Sequence, residues 1–183
     1  VAQAAIKNKV RGFLHASSVA VYDPSQVQGK ENLSEDCLIG HGDSPMYYWS
    51  SKALAERILS EVVTPSRIAL TMFRISYIIG PHNYATVPGF RENAVLFPGF
   101  NPRSQFVHEN DVAQAFAQAI RTDMPGAFNV VPDDSIHLSE VYEIINAKPM
   151  TIPVWLARLV AFVRWRYLGS PTHPSWVQAT LVD

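Results

Sequence analysis

Tyr48 and Lys52 stand four residues apart, and Ser17-Ser18 precede them by about thirty positions. Residues i and i+4 share one face of a helix, so a phenol and an ammonium can point into one cleft. A phenol near pKa ~10 is a poor base at neutral pH, and lowering it by about three units asks for roughly 4 kcal/mol of preferential stabilisation of the phenolate. A neighbouring ammonium and a cationic cofactor ring can supply that, while a serine hydroxyl hydrogen-bonds the oxygen whose proton moves. Such a set suits proton transfer coupled to hydride transfer at a carbonyl or alcohol carbon. Tyr-x-x-x-Lys alone also arises where a tyrosine merely starts a helix and the lysine is solvated, so the surrounding residues must decide. Tyr47 offers a second register, but Lys52 lies five residues from it and off its face.

These groups need a strand to carry the serines and a helix to carry Tyr48. The run Gly12 to Tyr22 has the length and apolar density of a central parallel strand. A polar loop follows from Asp23 to Pro45, then a helix from about Met46 to Val63, with Leu54, Ile58 and Val62 at the spacing of one buried face. Arg67 to Ile79 is a second dense β-type run closed by Gly80-Pro81, so strand, helix and strand form a βαβ unit. Tyr84 to Arg103, with Pro88, Pro98 and Pro102, reads as loop. Gln105 to His108 reads as a short strand, Glu109-Asn110-Asp111 as the start of a helix to about Arg121, and Phe128 to Val131 as another strand. Leu138 begins a further helix, and from Pro149 an amphipathic one carries Trp155, Leu159, Phe162 and Val163 on one side. No internal repeat is visible, and the first ten residues read as the tail of an Ala-rich helix.

Composition narrows the field. The chain has 183 residues, 48% of them hydrophobic and 17% charged, which fits a globular α/β protein and excludes a low-complexity chain. Its 15 Lys+Arg are balanced by 16 Asp+Glu, so no basic surplus is available for nucleic acid. A single cysteine, Cys37, cannot form an internal disulfide, and no Cys/His cluster has zinc spacing, so a metal-free cytoplasmic protein is expected. The longest apolar tract, Ile152 to Leu168, contains Arg158, Arg164 and Arg166, and no membrane span is expected from it.

Four segments, in order, resemble the extended short-chain dehydrogenase/reductases, the NAD-dependent epimerase/dehydratase family. Phe13 to Tyr22 is similar to that family's strand ending in Ser-Ser-x-x-x-Tyr. Tyr47 to Glu56 is similar to its Tyr-x-x-x-Lys helix with a glutamate four residues on. Phe73-Arg-Ile-Ser-Tyr-Ile-Ile-Gly-Pro81 resembles its Arg-Pro-x-x-x-x-Gly-Pro strand end, and Gln105 to Ala113 its Phe-x-His-x-x-Asp-Val-Ala segment. The resemblance covers Val1 to about Ile145.

It implies roles for the matching positions. Ser18, four residues before Tyr22, takes the place of the catalytic serine or threonine, Tyr48 that of the acid/base, and Lys52 that of the residue holding the nicotinamide ribose. Ile75, Ser76 and Tyr77 would lie against the nicotinamide carboxamide of NAD or NADP, with Ile75 standing where proline is usual and Tyr77 where asparagine often occurs. His82 and Asn83 either lead into a substrate pocket or form a mere turn. Arg103 lies one residue further from His108 than the diphosphate-binding arginine of sugar-nucleotide enzymes. His108 and Asp111 read as structural. The implied activity is oxidation, epimerisation or dehydration at a secondary alcohol or carbonyl, most often of a nucleotide sugar. A hydrophobic alcohol of the 3β-hydroxysteroid type and a non-catalytic NAD(P)-binding protein are the alternatives, and a homodimer is admitted.

The implied fold is the later half of a doubly wound Rossmann-type parallel sheet with a smaller substrate-binding cap. Residues 1–83 and 104–133 are assigned to the nucleotide-binding part, and 84–103 and 134–183 to the cap. None of the nine glycines makes the family's Gly-x-x-Gly-x-x-Gly phosphate turn. The chain is therefore expected to be the C-terminal part of a longer protein, and residues 1–183 alone to bind NAD(P) poorly.

Overall fold

Three parallel strands give the molecule its frame, and the burial of their side chains explains why. In this computed structural model, which describes residues 1–22, 33–42, 46–170 and 173–181, a short helix α1 (Ala2–Lys7) leads into strand β1 (Gly12–Ser18). The β-type run is shorter than its apolar composition predicts. Ser18 ends it by capping a 3-10 turn over Val19–Val21, its Oγ accepting from the Ala20 amide at 3.2 Å. Helix α2 (Tyr47–Val63) then crosses to strand β2 (Ala69–Ile75), which pairs in parallel with β1. The predicted βαβ unit is thus present. In β2 both faces are buried: Phe73 and Ile75 face one side, Leu70 and Arg74 the other.

The second β-type run is broken at Ser76, after which β3 (Tyr77–Ile79) turns to a different partner, β6 (Phe106–His108). Between them lie helix α3 (Thr86–Glu92) and the short strands β4 (Val95–Leu96) and β5 (Arg103–Ser104). The prolines of 84–103 suggest loop throughout. Pro88, however, falls in the first turn of α3, where an amide would lack an intrahelical partner anyway. Phe90 on that helix packs against Tyr77 and Phe106 at 5.0 and 5.5 Å between ring centroids.

Helix α4 (Glu109–Thr122) begins at His108, whose Nδ1 accepts from the Asn110 amide at 3.2 Å, so the cap is the histidine. Strand β7 (Gly126–Val130) pairs in parallel with β2, giving the order β1-β2-β7. There follow β8 (Ile136–His137), α5 (Leu138–Ile144), β9 (Met150–Thr151), α6 (Val154–Tyr167) and α7 (Trp176–Ala179). β4 pairs with β9 and β5 with β8, which stitches residues 84–103 to residues after 134. Of the polar loop expected at 23–45, residues 23–32 and 43–45 lie outside the described ones, as do Val182 and Asp183.

One face expectation is corrected. Leu54 and Ile58 on α2 are 47% and 49% exposed, and the helix buries Ala53, Glu56 and Val63 instead. The inner face of α2 meets a charged side chain of β2, so a small residue and a carboxylate occupy it and the aliphatic stripe is rotated outward.

At α5 the His137 amide donates to Glu140 Oε2 at 3.2 Å, while His137 Nδ1 donates to the Asn101 carbonyl at 2.9 Å. Glu140→Ala is expected to lower stability by about 1 kcal/mol. A urea midpoint unchanged from that of the unsubstituted protein would show that the Glu140 bond contributes nothing.

Candidate active site

Parallel pairing aligns the carboxyl ends of the strands. Ser18 pairs with Ile75, and Ile75 with Val130, so β1, β2 and β7 end abreast, the edge at which ligands bind in open α/β sheets. Ser18 is the last residue of β1 and its hydroxyl accepts only from the Ala20 amide among the described residues, which leaves its proton available. Ser17 points to the opposite face and donates to Glu56 Oε1 at 2.5 Å. The alternating direction of strand side chains thus separates the two serines.

Tyr48 lies in the first turn of α2. Lys52, one turn on, holds its Nζ 5.7 Å from the centre of the Tyr48 ring and donates to the Ala16 carbonyl at 3.2 Å. The ammonium therefore bridges the tyrosine and the end of β1, with further N–H groups to spare. The Tyr48 hydroxyl makes no hydrogen bond among the described residues. Its ring stacks on Trp176 of α7 (5.9 Å, 26°) and meets Trp49 edge-on at 5.7 Å. Tyr47 is 70% exposed and lies near His173, away from Lys52.

The Ile75 side chain belongs to the core with Phe73 and Val107, so only its backbone can meet a ligand. The Ser76 amide donates to Val130 O and the Tyr77 amide to Gln105 O, whereas the buried Ser76 Oγ has no partner among the described residues. An orphaned hydroxyl beside the end of β2 fits a polar group arriving from outside the protein. Tyr77 keeps 40% of its surface, yet the protein around it pushes its phenol up, with smaller contributions from Tyr48 and Tyr142.

The other predicted positions are held locally. His82 Nδ1 pairs with Glu109 Oε1 at 2.7 Å. Asn83 donates to Ile78 O and accepts from the Ala85 and Thr86 amides, closing the turn before α3. Arg103 Nε donates to Ser135 Oγ at 2.7 Å and its Nη2 to Ser135 O. Two hollows of about 540 and 250 Å³ lie elsewhere, the larger beside α4 and the smaller beside α5, and neither is lined by Ser18, Tyr48 or Lys52.

Beneath the site lies a charged layer that spacing alone does not reveal as a unit. Glu56 and Arg74, 1% and 5% exposed, form an ion pair at 2.9 Å, and Arg74 Nε reaches both carboxylate oxygens at 3.2 Å. Arg74 Nη1 donates to the Tyr22 hydroxyl and to Glu35 O, and Tyr22 donates to Asn129 Oδ1 at 2.5 Å. Burial alone would lower the Arg74 pKa, but its bonds to Glu56 and Tyr22 outweigh it and hold the guanidinium charged.

His15, on the same face of β1 as Ser17, has a buried Nε2 without a partner among the described residues. Burial first, and then the Lys52 charge, lower its pKa, with Glu56 acting the other way. The unfolded chain, with imidazole at its ordinary 6.5, binds this proton more readily than the folded one. Stability is therefore full above about pH 6.5 and falls as pH drops below it. His15→Gln is expected to reduce the loss of urea midpoint between pH 7.5 and 5.5. An identical loss in variant and parent would refute this.

Residues 1–130 match the sequence profile of the NAD dependent epimerase/dehydratase family. No curated protein sequence matches the chain. Among solved structures, the UDP-glucose 4-epimerase of Thermus thermophilus in complex with NAD is similar at 24% identity and a TM-score of 0.62, over 83% of this chain and 54% of that one. The dTDP-glucose 4,6-dehydratase of Bacillus anthracis with NAD is similar at 16% identity and 0.64, over 83% and 52%. The UDP-N-acetylglucosamine 4-epimerase of Bacillus cereus is similar at 20% and 0.60, over 83% and 56%. The chain thus spans about half the length of the structures it matches, and these likenesses establish a shared Rossmann-type α/β fold.

Proposed function

The chain belongs to the NAD dependent epimerase/dehydratase family, and from that premise we propose that it carries the proton-transfer half of an active site acting on a nucleotide sugar. The reading rests chiefly on Lys52, which reaches from the Tyr48 ring to the carbonyl next to the serine pair on β1. Tyr48 moves the proton of the reacting hydroxyl, with the Lys52 ammonium held over its ring. Ser18 donates its free hydroxyl proton to the reacting oxygen. Lys52 uses its remaining N–H groups on the ribose of NAD or NADP, and the end of β2 at Ile75, Ser76 and Tyr77 lines the nicotinamide. The cofactor, when bound, takes and returns the hydride. His82, Asn83 and Arg103 stand where the substrate-facing loop and cap begin, and residues 84–103 with 134–183 form that cap.

A second reading, a hydrophobic alcohol as substrate, is favoured by the Trp49 and Trp176 rings against Tyr48 and by the Arg103 guanidinium's bonds to Ser135. The test is to incubate the full-length protein with NAD+ and either UDP-glucose, dTDP-glucose or a 3β-hydroxysteroid, following absorbance at about 340 nm and sugar products by chromatography. Turnover of a nucleotide sugar supports the proposal. Turnover of the steroid alone favours the second reading, and none with any of the three favours a binding protein without catalysis.

A further inference from the structure

We infer that Glu56 and Arg74 are positioning residues that fix where α2 holds Tyr48 and Lys52 against the end of β1, an inference that rests on the active-site reading above. Ser17, Arg74 and Asn129 are directly paired across β1, β2 and β7, one residue before the strand ends. In this row, Ser17 donates to Glu56 Oε1, Arg74 donates to both oxygens of Glu56, and Asn129 is tied to Arg74 through Tyr22. Glu56 is one helical turn beyond Lys52 and two beyond Tyr48, so the carboxylate pins α2 to the row at one point on its axis.

Every proposed reacting group is the neighbour of a pinned one. Ser18 follows Ser17, Ile75 follows Arg74, and Lys52 and Tyr48 precede Glu56 on its own helix. A slip of α2 along the sheet would carry Tyr48 away from Ser18, and it is opposed by three hydrogen bonds from the Arg74 fork and one from Ser17. Apolar side chains would hold the helix on the sheet as firmly but would let it slide, because dispersion is not directional. Since a buried ion pair adds little net stability over an apolar pair of similar volume, what this one contributes is geometry.

The decisive experiment compares the full-length protein with Glu56→Gln, Arg74→Lys and the double variant Glu56→Leu/Arg74→Met. With the nucleotide sugar that the parent turns over, the double variant, folded by circular dichroism, is expected to lose about 100-fold or more in kcat. KM for NAD+ should rise as well, because Lys52 rides on the same helix between Tyr48 and Glu56 and its ribose contact moves with it. Arg74→Lys, which keeps the charge, should recover part of that loss. In protein labelled with 13Cζ-tyrosine, the Tyr48 resonance, assigned by its absence in Tyr48→Phe, should move in the double variant while that of Tyr142 stays. A folded double variant with parental kcat and an unmoved Tyr48 resonance would overturn the inference. If the double variant does not fold, Glu56→Gln and Arg74→Lys decide by the same two readings. Absence of turnover in the parent would count against the active-site reading, and the resonance would still decide the positioning role.

Discussion

Tyr48→Phe is expected to lower turnover of the full-length protein by about 10²–10⁴-fold while changing its affinity for NAD+ by less than about threefold. Only one oxygen is removed. It makes no hydrogen bond among the described residues, so the fold should not notice its loss. The ring contacts with Trp176, Trp49 and the Lys52 ammonium are kept by phenylalanine. A large effect would therefore report the missing proton carrier rather than a disturbed structure. Thermal denaturation serves as control, with a Tm within about 2 °C of the parent's. Steady-state kinetics showing a variant at parental rate would end the assignment of Tyr48.

Local geometry explains what was legible in the sequence. Tyr48 and Lys52 meet because i and i+4 share a helix face, and Ser18 ends its strand where its hydroxyl caps the turn at Ala20. The strand at Ala69–Ile75 is visible as most of the dense apolar run from Arg67 to Ile79, although the run at Gly12 to Tyr22 is the one expected to be central, and in the order β1-β2-β7 it is β2 that lies between the other two. What could not be read depends on partners remote in sequence. The inner face of α2 follows from Arg74, 18 residues beyond Glu56, and without that partner Leu54 and Ile58 look like the buried stripe. Helix α3 hides behind Pro88, whose effect depends on which turn it occupies. Trp176, set against Tyr48 from more than a hundred residues away, carries no local signal at all. The Ser17–Glu56–Arg74–Tyr22 connection falls between these cases, since each residue sits in a recognisable segment but only the register of three strands makes them one network.

That network also dictates the largest expected stability effect. Arg74→Leu should destabilise the protein by about 3–5 kcal/mol, because it leaves Glu56 as an uncompensated charge in a place with 1% exposure. Leucine regains some apolar burial, but less than about 3 kcal/mol, and it satisfies neither the carboxylate nor the Tyr22 hydroxyl and Glu35 carbonyl that Arg74 now reaches. Desolvation of the stranded carboxylate therefore wins over the gain in apolar area. At roughly 2–4 °C per kcal/mol for a chain of this size, Tm should fall by on the order of 10 °C. The pair behaves differently when both members go: Glu56→Leu combined with Arg74→Leu removes the charges together and should be more stable than Arg74→Leu alone. Urea denaturation at pH 7 of the parent, the two single variants and the double variant measures this coupling as a cycle. Additive losses would mean that Glu56 and Arg74 do not interact in solution, and a loss below about 1 kcal/mol for Arg74→Leu would mean that water reaches the stranded carboxylate.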